Sequence, residues 1–151
     1  MRKKSIVFVC TGNTCRSPMA EIILKNKLKL AGITSIRVSS AGLNANAGDK
    51  ISPNSAKALK QLGYRVGAFK AKPLTPEIIG KSDLIICMTE SHKRCLYGLN
   101  GVCTISELTG QLDVLDPFGG SLALYIETSH QLEDACNIIL NKILEENQYS
   151  I

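Results

Sequence analysis

The sequence predicts an α/β fold in three layers, α/β/α, with a four-stranded parallel sheet in the middle and the functional loop directly after the first strand. Two observations carry this. Short β-rich runs occur at residues 5–9, 36–39, 83–88 and 102–104, and helix-forming sequence or helix-start signals fall between them. The first and third runs are almost wholly apolar instead of alternating, as strands buried on both faces are. Strands joined through helices imply right-handed crossovers and parallel pairing. A length of 151 residues suits one domain, 1–151, with no room for a second. Hydrophobic residues at 44 % and charged residues at 21 % exclude disorder and collagen-like sequence.

The elements follow in order. The first strand runs into Cys10-Thr11-Gly12. Ser17-Pro18 then opens a helix, with Ser as the cap and Pro at the first helical position. Apolar Met19, Ile22, Ile23 and Leu30, with Lys25, Lys27 and Lys29 on the solvated side, carry it to about Ala31-Gly32. Ser52-Pro53 repeats the signal for a helix ending near Leu62-Gly63, and Thr75-Pro76-Glu77 for one ending near Ser82. Residues 83–88, DLIICM, form the third strand, 90–96 a short helix and 102–104 the fourth strand. Residues 113–120, DVLDPFGG, are turn chemistry throughout. The longest helix covers 121–147, with Leu132, Cys136, Ile139, Leu140 and Ile143 on one apolar stripe.

No stretch of about 18 apolar residues exists, so no membrane helix is expected. Met1-Arg2-Lys3-Lys4 looks like a signal-peptide start, but the apolar run behind it stops at Thr11, and a cytoplasmic location is expected. Cys10, Cys15, Cys87, Cys95, Cys103 and Cys136 are then expected as reduced thiols. No Cys-x2-Cys pair is present, and His92 and His130 are far apart, so no metal is expected. A net charge of +5 is compatible with phosphate-bearing partners and too weak to argue for nucleic acid. No heptad pattern suggests a dimer, so a monomer is expected. His92 and His130 lie in charged segments and are expected on the solvated surface, while Met19 and Met88 are expected in the core.

In an open parallel sheet, ligands bind beyond the carboxyl ends of strands, which directs attention to Cys10-Thr11-Gly12-Asn13-Thr14-Cys15-Arg16-Ser17. The first N–H groups of the following helix have no intrahelical partner, and the dipole is positive there. Gly12 and Asn13 tolerate φ > 0, so successive N–H groups can converge into an anion nest. Arg16 adds a planar fork for two phosphate oxygens. A sulfur at the rim of this bowl is held as a thiolate nucleophile facing a bound phosphorus. A carboxylic acid must then protonate the leaving atom. Asp116 is the candidate, because Pro117 restricts the loop that carries it; Asp113 lacks that proline. No metal or organic cofactor is required, since Arg16 and main-chain amides supply the positive charge.

The string VCTGNTCRSPMAE resembles the low-molecular-weight protein tyrosine phosphatase family, whose signature is C-x5-R-S after the first strand. The resemblance extends to Ser39-Ser40-Ala41-Gly42, to DLIICM and to DVLDPFGGS. It implies that Cys10 is the nucleophile, that Arg16 binds phosphate and stabilises the transition state, and that Asp116 is the general acid. It further implies that the amides from Thr11 through Gly12, Asn13, Thr14 and Cys15 to Arg16 hold phosphate oxygens. Ser17 would hydrogen-bond the thiolate, and Asn13 would hold the loop's strained turn, linked to Ser40. Cys15 could trap oxidised Cys10 as a disulfide, as matching cysteines do in related phosphatases; the competing reading makes it a small packing residue.

Thr14 stands where tyrosine-specific members of that family carry a larger apolar residue, and Phe118-Gly119-Gly120 stands where many of them have successive aromatics. Less apolar wall and one more hydroxyl suit a slim polar stem better than a phenyl ring. The combination resembles the bacterial protein arginine phosphatase branch, which implies phosphorylated proteins as substrates and phosphoarginine as the target. Phosphotyrosine is the alternative. Thioredoxin-linked arsenate reductases share C-x5-R-S and add two redox cysteines; Cys87 and Cys95 lie in the corresponding region, but the first of those cysteines would fall at Thr89, and Cys87 sits inside an apolar strand. A non-catalytic phosphate-binding module would need neither Cys10 nor Asp116. Tyr125, shortly after the acid loop, could flank the pocket.

Overall fold

A computed structural model describes residues 3–149. Four strands, β1 (Lys4–Cys10), β2 (Ile36–Gly42), β3 (Leu84–Cys87) and β4 (Val102–Thr104), form one sheet in the order β2-β1-β3-β4. All three pairings are parallel. Six helices connect and cover them: α1 (Arg16–Leu30), α2 (Pro53–Gln61), α3 (Pro76–Lys81), α4 (Glu90–Arg94), α5 (Ile105–Thr109) and α6 (Leu122–Tyr149).

The two faces of the sheet follow from the period-2 geometry of a strand. On β1, Ile6, Phe8 and Cys10 face one core, which also holds Met19, Ile23, Leu24 and Leu28 of α1, Leu59 of α2, Ile105 of α5 and Leu132, Cys136 and Ile139 of α6. Val7 and Val9 face the other, with Ile85, Cys87 and Leu96, closed by Leu74, Ile78 and Ile79 from α3 and the turn before it. Both faces are covered, which is why the central strands β1 and β3 are nearly continuous apolar runs. The sulfur-bearing stripe expected on α6 is in place, and Met19 and Met88 are fully buried.

Four details differ from the sequence expectation. β2 continues to Gly42, paired with β1 to Cys10. α1 starts at Arg16 with Cys15 as its N-cap and no side-chain cap, so Ser17 does not cap the helix. Its hydroxyl is committed to Cys10 and Asn13 instead. α5 was not expected; Thr104 caps it by accepting from the Glu107 N–H, and Gly110 at φ 76° ends it. The Thr104-x-x-Glu107 spacing is a capping-box signal that marks this start. His92 is buried, not solvated.

The strand order puts β1 and β3 side by side while their connections leave in opposite directions. This is the switch point of the sheet, where loops diverge and leave a crevice. Val9 pairs with Cys87, so the loop after Cys10 lies beside Met88-Thr89.

Candidate active site

Between β1 and α1 the chain makes a tight loop, and its shape depends on Asn13. That residue alone among the described non-glycine residues has positive φ, 55°. Three partners hold its side chain. The Lys72 N–H donates to Oδ1 at 3.0 Å, which fixes the orientation of the amide. Nδ2 then donates to Ser17 Oγ and to Ser40 Oγ, each at 2.9 Å. Ser40 passes its own proton to Glu21 at 2.7 Å. Ser17, already accepting from Asn13, directs its proton at Cys10 Sγ, 2.8 Å away. A chain of hydrogen bonds from Lys72 through Asn13 and Ser17 therefore ends on the sulfur.

From the β2 side the loop is held by main chain. Leu43 N–H donates to the Cys10 carbonyl at 2.9 Å and Asn44 N–H to that of Thr11 at 2.8 Å. This approach requires Gly42: a Cβ there would sit 2.6 Å from the Thr11 carbonyl oxygen and 3.0 Å from Asn13 N. Among the described residues, the N–H groups of Gly12, Asn13, Thr14 and Cys15 make no hydrogen bond. Successive unpaired N–H groups at a helix N-terminus are an anion nest.

Arg16 closes the bowl. It is buried, and Nη1 donates to the Val114 carbonyl at 2.9 Å. Nη2 lies 3.5 Å from Thr11 Oγ1 and 3.6 Å from Asp116 Oδ2. Nε is buried and has no hydrogen-bond partner among the described residues. A buried guanidinium N–H is costly to leave unpaired, so the atom marks where an oxyanion would bind. Above it, Asp116 is half-exposed and accepts from the Phe118 N–H at 3.1 Å. Cys10, Thr11, Gly12, Thr14, Cys15, Arg16, Asp116 and Phe118 line a cavity of about 200 Å³.

A nucleophilic sulfur, an anion nest, a free guanidinium N–H and a carboxyl group thus meet in one cavity. The family model for the low molecular weight phosphotyrosine protein phosphatase matches residues 5–149. The chain belongs to this family. It is 37 % identical to a protein-arginine-phosphatase of Bacillus subtilis, over 95 % of this chain and 99 % of the relative. It is 41 % identical to a low molecular weight protein-tyrosine-phosphatase of Staphylococcus haemolyticus, over 84 % and 91 %. Among solved structures, a Cys-to-Ser variant of an arginine phosphatase with a phosphorylated active-site serine superimposes with a TM-score of 0.88 at 36 % identity, covering 95 % of this chain and 98 % of that one.

In this phosphatase the walls above the bowl are sparse. Thr14 is partly exposed on one side, and Phe118 is largely exposed on the other. Tyr125 does not line the cavity. It is buried on α6 beneath the loop, with its hydroxyl 3.5 Å from Cys15 Sγ, and burial pushes its phenol up to about 12. Cys15 is buried between this hydroxyl and Ser52 Oγ at 3.6 Å, while still reaching the cavity that Cys10 lines.

Cys87, the strand cysteine nearest the corresponding redox position, is not placed as a second reactive thiol. Cys87 is fully buried on β3, and burial pushes its thiol up to about 12, with Cys103 adding to the shift. This makes it a poor partner for thiol exchange. Among the described residues no group of three or more His, Cys, Asp or Glu side chains is placed to hold a metal ion, and no helix is long and apolar enough to cross a membrane. His92, the residue that sequence reasoning placed on the surface, packs against the site: its Nε2 is 3.0 Å from Thr11 Oγ1. It does so because adjacent β1 and β3 bring Thr11 beside the α4 N-cap, Thr89, and His92 lies one turn into that helix.

Proposed function

We propose that this chain hydrolyses phosphoarginine in proteins, with Cys10 as nucleophile, Arg16 as phosphate clamp and Asp116 as general acid and base. The observation that carries the reading is the 200 Å³ cavity in which Cys10, Arg16 and Asp116 converge beneath a wall of only Thr14 and Phe118. The relative named a protein-arginine-phosphatase, matched along 95 % of the chain, supports the same substrate.

The phosphoryl group binds the free N–H groups of the loop and Arg16 Nε. Cys10 thiolate attacks phosphorus in line, a P–S bond forms, and the P–N bond to the guanidinium stem breaks. The Asp116 carboxyl gives its proton to the departing nitrogen. The resulting carboxylate takes a proton from water, which attacks the phosphocysteine; the P–S bond breaks and inorganic phosphate leaves. Negative charge grows on the equatorial oxygens, where preorganised donors act most strongly.

Thr14 offers a hydroxyl and little apolar area on one side of the cavity, Phe118 lines the other, and Gly119-Gly120 follow it in sequence with no further side chain. A phenyl ring gains less here than from an isoleucine and paired aromatics. The test compares proteins phosphorylated on arginine and on tyrosine, using the wild type beside Cys10→Ser and Asp116→Asn. Faster turnover of phosphoarginine, lost in Cys10→Ser, is expected. A clear preference for phosphotyrosine would replace the substrate assignment with the second reading, favoured by the tyrosine-phosphatase relative at 41 % identity.

A further inference from the structure

His92 is a buried ionisable side chain beside the site that phosphoryl transfer by Cys10, Arg16 and Asp116 leaves without a task. It is 7 % exposed, on a helix of only five residues. Its Nε2 lies 3.0 Å from Thr11 Oγ1, and that oxygen is also the 3.5 Å neighbour of Arg16 Nη2. A guanidinium can only donate, so the hydroxyl accepts from Arg16 and keeps one proton to give. A bare imidazole Nε2 is a suitable acceptor for it. Its other nitrogen, Nδ1, is buried without a partner, so nothing else in the described structure fixes the ring by hydrogen bonding.

We propose that His92 is a positioning residue for phosphoryl transfer: through the Thr11 hydroxyl it sets the tilt of the Arg16 guanidinium in the phosphate bowl.

Arg16 has one short anchor, Nη1 on the Val114 carbonyl, and a planar fork pivoting on a single hydrogen bond is free to rotate about it. Its contact with Asp116, at 3.6 Å, is to a half-exposed carboxylate that water competes for, whereas the Thr11 hydroxyl at 3.5 Å is itself held by His92. Thr11 is therefore the second point that orients the plane, and Thr11 is exposed apart from this contact. The imidazole stops the hydroxyl from turning to water. It also has to be uncharged to do so beside a guanidinium. Burial first, and Arg16 second, push it down to about 4, against the pull of Asp116 and Asp113. The role rests on Arg16 being the phosphate clamp of the proposed function.

A double-mutant cycle on His92→Phe and Thr11→Val tests this, read on para-nitrophenyl phosphate, on a phosphoarginine peptide, and as the Kd for inorganic phosphate by calorimetry. His92→Phe keeps the ring volume and removes the acceptor. It is expected to lower kcat about tenfold and to weaken KM and the phosphate Kd by only about threefold, since a misaimed clamp loses most in the transition state. Thr11→Val is expected to match it, and the double variant to lose no more than either alone. His92→Gln places an amide near Nε2 and is expected to restore kcat to within about threefold of wild type. Multiplying losses in the double variant, a His92→Gln as slow as His92→Phe, or a His92→Phe as fast as wild type would each overturn the proposal. If His92→Phe does not fold, His92→Leu enters the same cycle. A wild type active on the aryl phosphate but not on the peptide would refute only the phosphoarginine assignment, and the cycle is still read. A wild type active on neither would refute the phosphatase reading, and phosphate affinity still reports whether His92 orients Arg16.

Discussion

Arg16 and Val114 share a hydrogen bond that ties the loop after β1 to the segment carrying Asp116: Nη1 donates to the Val114 carbonyl at 2.9 Å. Val114 is itself fastened at the end of β3, where its N–H donates to the Met88 carbonyl at 3.0 Å. Asp116 is two residues further on. The height of Asp116 above the bowl is thus set from a point that the guanidinium itself holds, and Pro117 stiffens what lies between loop and turn.

Arg16→Lys separates charge from geometry. The ammonium keeps the positive charge but cannot bind Val114 and a phosphate together as a fork. A fall in kcat of at least about 100-fold is expected, as for loss of an oxyanion donor. The Val114 carbonyl is also left unpaired, which costs about 1–3 kcal/mol of stability. Steady-state kinetics and urea denaturation measure the two losses; an Arg16→Lys variant with full stability would show that the carbonyl finds another donor.

Asp116→Asn should behave differently. The side chain is half-exposed and its backbone partner, the Phe118 N–H, can still bond to an amide oxygen. Thermal unfolding is expected to be unchanged, while kcat drops by about 10²–10⁴. The drop should be smaller for substrates whose leaving groups need no proton. Equal drops for good and poor leaving groups would move the acid role elsewhere.

The loop was legible in the sequence because its parts are local: strand, C-x5-R-S, Gly12, Asn13 and a helix within one stretch. Asp116 was legible through Pro117. What escaped was set by packing between distant segments. Gly42 matters because its missing Cβ admits the Thr11 carbonyl at a distance no side chain would allow, and nothing in Ala41-Gly42-Leu43 reveals that neighbour. His92 sits in the charged segment Glu90-Ser91-His92-Lys93-Arg94, whose composition reads as surface. Only the pairing of β1 with β3 turns its third residue over Thr11. Ser17 looked like a helix cap, and the nearer claim of Cys10 and Asn13 on its hydroxyl moved the helix start to Arg16. The capping pair Thr104 and Glu107 was present in the sequence, but α5 is so short that no apolar period accompanies it.

Asn13 carries two loads that substitutions separate. Asn13→Gly keeps the positive φ without strain and loses three hydrogen bonds. Asn13→Ala loses the same bonds and adds the left-handed strain, about 1 kcal/mol. Both should lose stability, on the order of 1 kcal/mol per bond, with Ala below Gly. Both should also slow turnover, because Ser17 no longer has a donor fixing its proton on Cys10. Denaturation midpoints for the two variants check the order; Ala equal to Gly would mean that the loop relaxes out of the positive-φ conformation.

Thr14→Ile tests the substrate assignment through one wall of the cavity. The larger side chain adds apolar area beside a phenyl leaving group and removes a hydroxyl from a guanidinium stem. The ratio of kcat/KM for phosphotyrosine over phosphoarginine is expected to rise by about tenfold or more, because the added methyl groups favour the ring while the missing hydroxyl penalises the stem. An unchanged ratio would put selectivity on Phe118 or on the acid loop.

His92 also predicts how stability responds to acid. Its imidazole ordinarily titrates at 6.5, and burial with Arg16 alongside lowers it to about 4 in the fold. Between those values the unfolded chain binds a proton that the folded chain refuses, so acidification favours unfolding. The contribution is fully present above pH 6.5 and is lost as pH falls through 4. The carboxylates facing the ring, Asp116 and Asp113, are present in both wild type and variant. His92→Gln has no proton to take up, so its Tm should fall less than that of wild type between about pH 7.5 and about pH 4.5. Calorimetry across that range measures the difference. Parallel Tm curves would mean that the ring is already charged, or solvated, in the folded protein, and the Thr11 contact would then have to be read with the imidazole as donor.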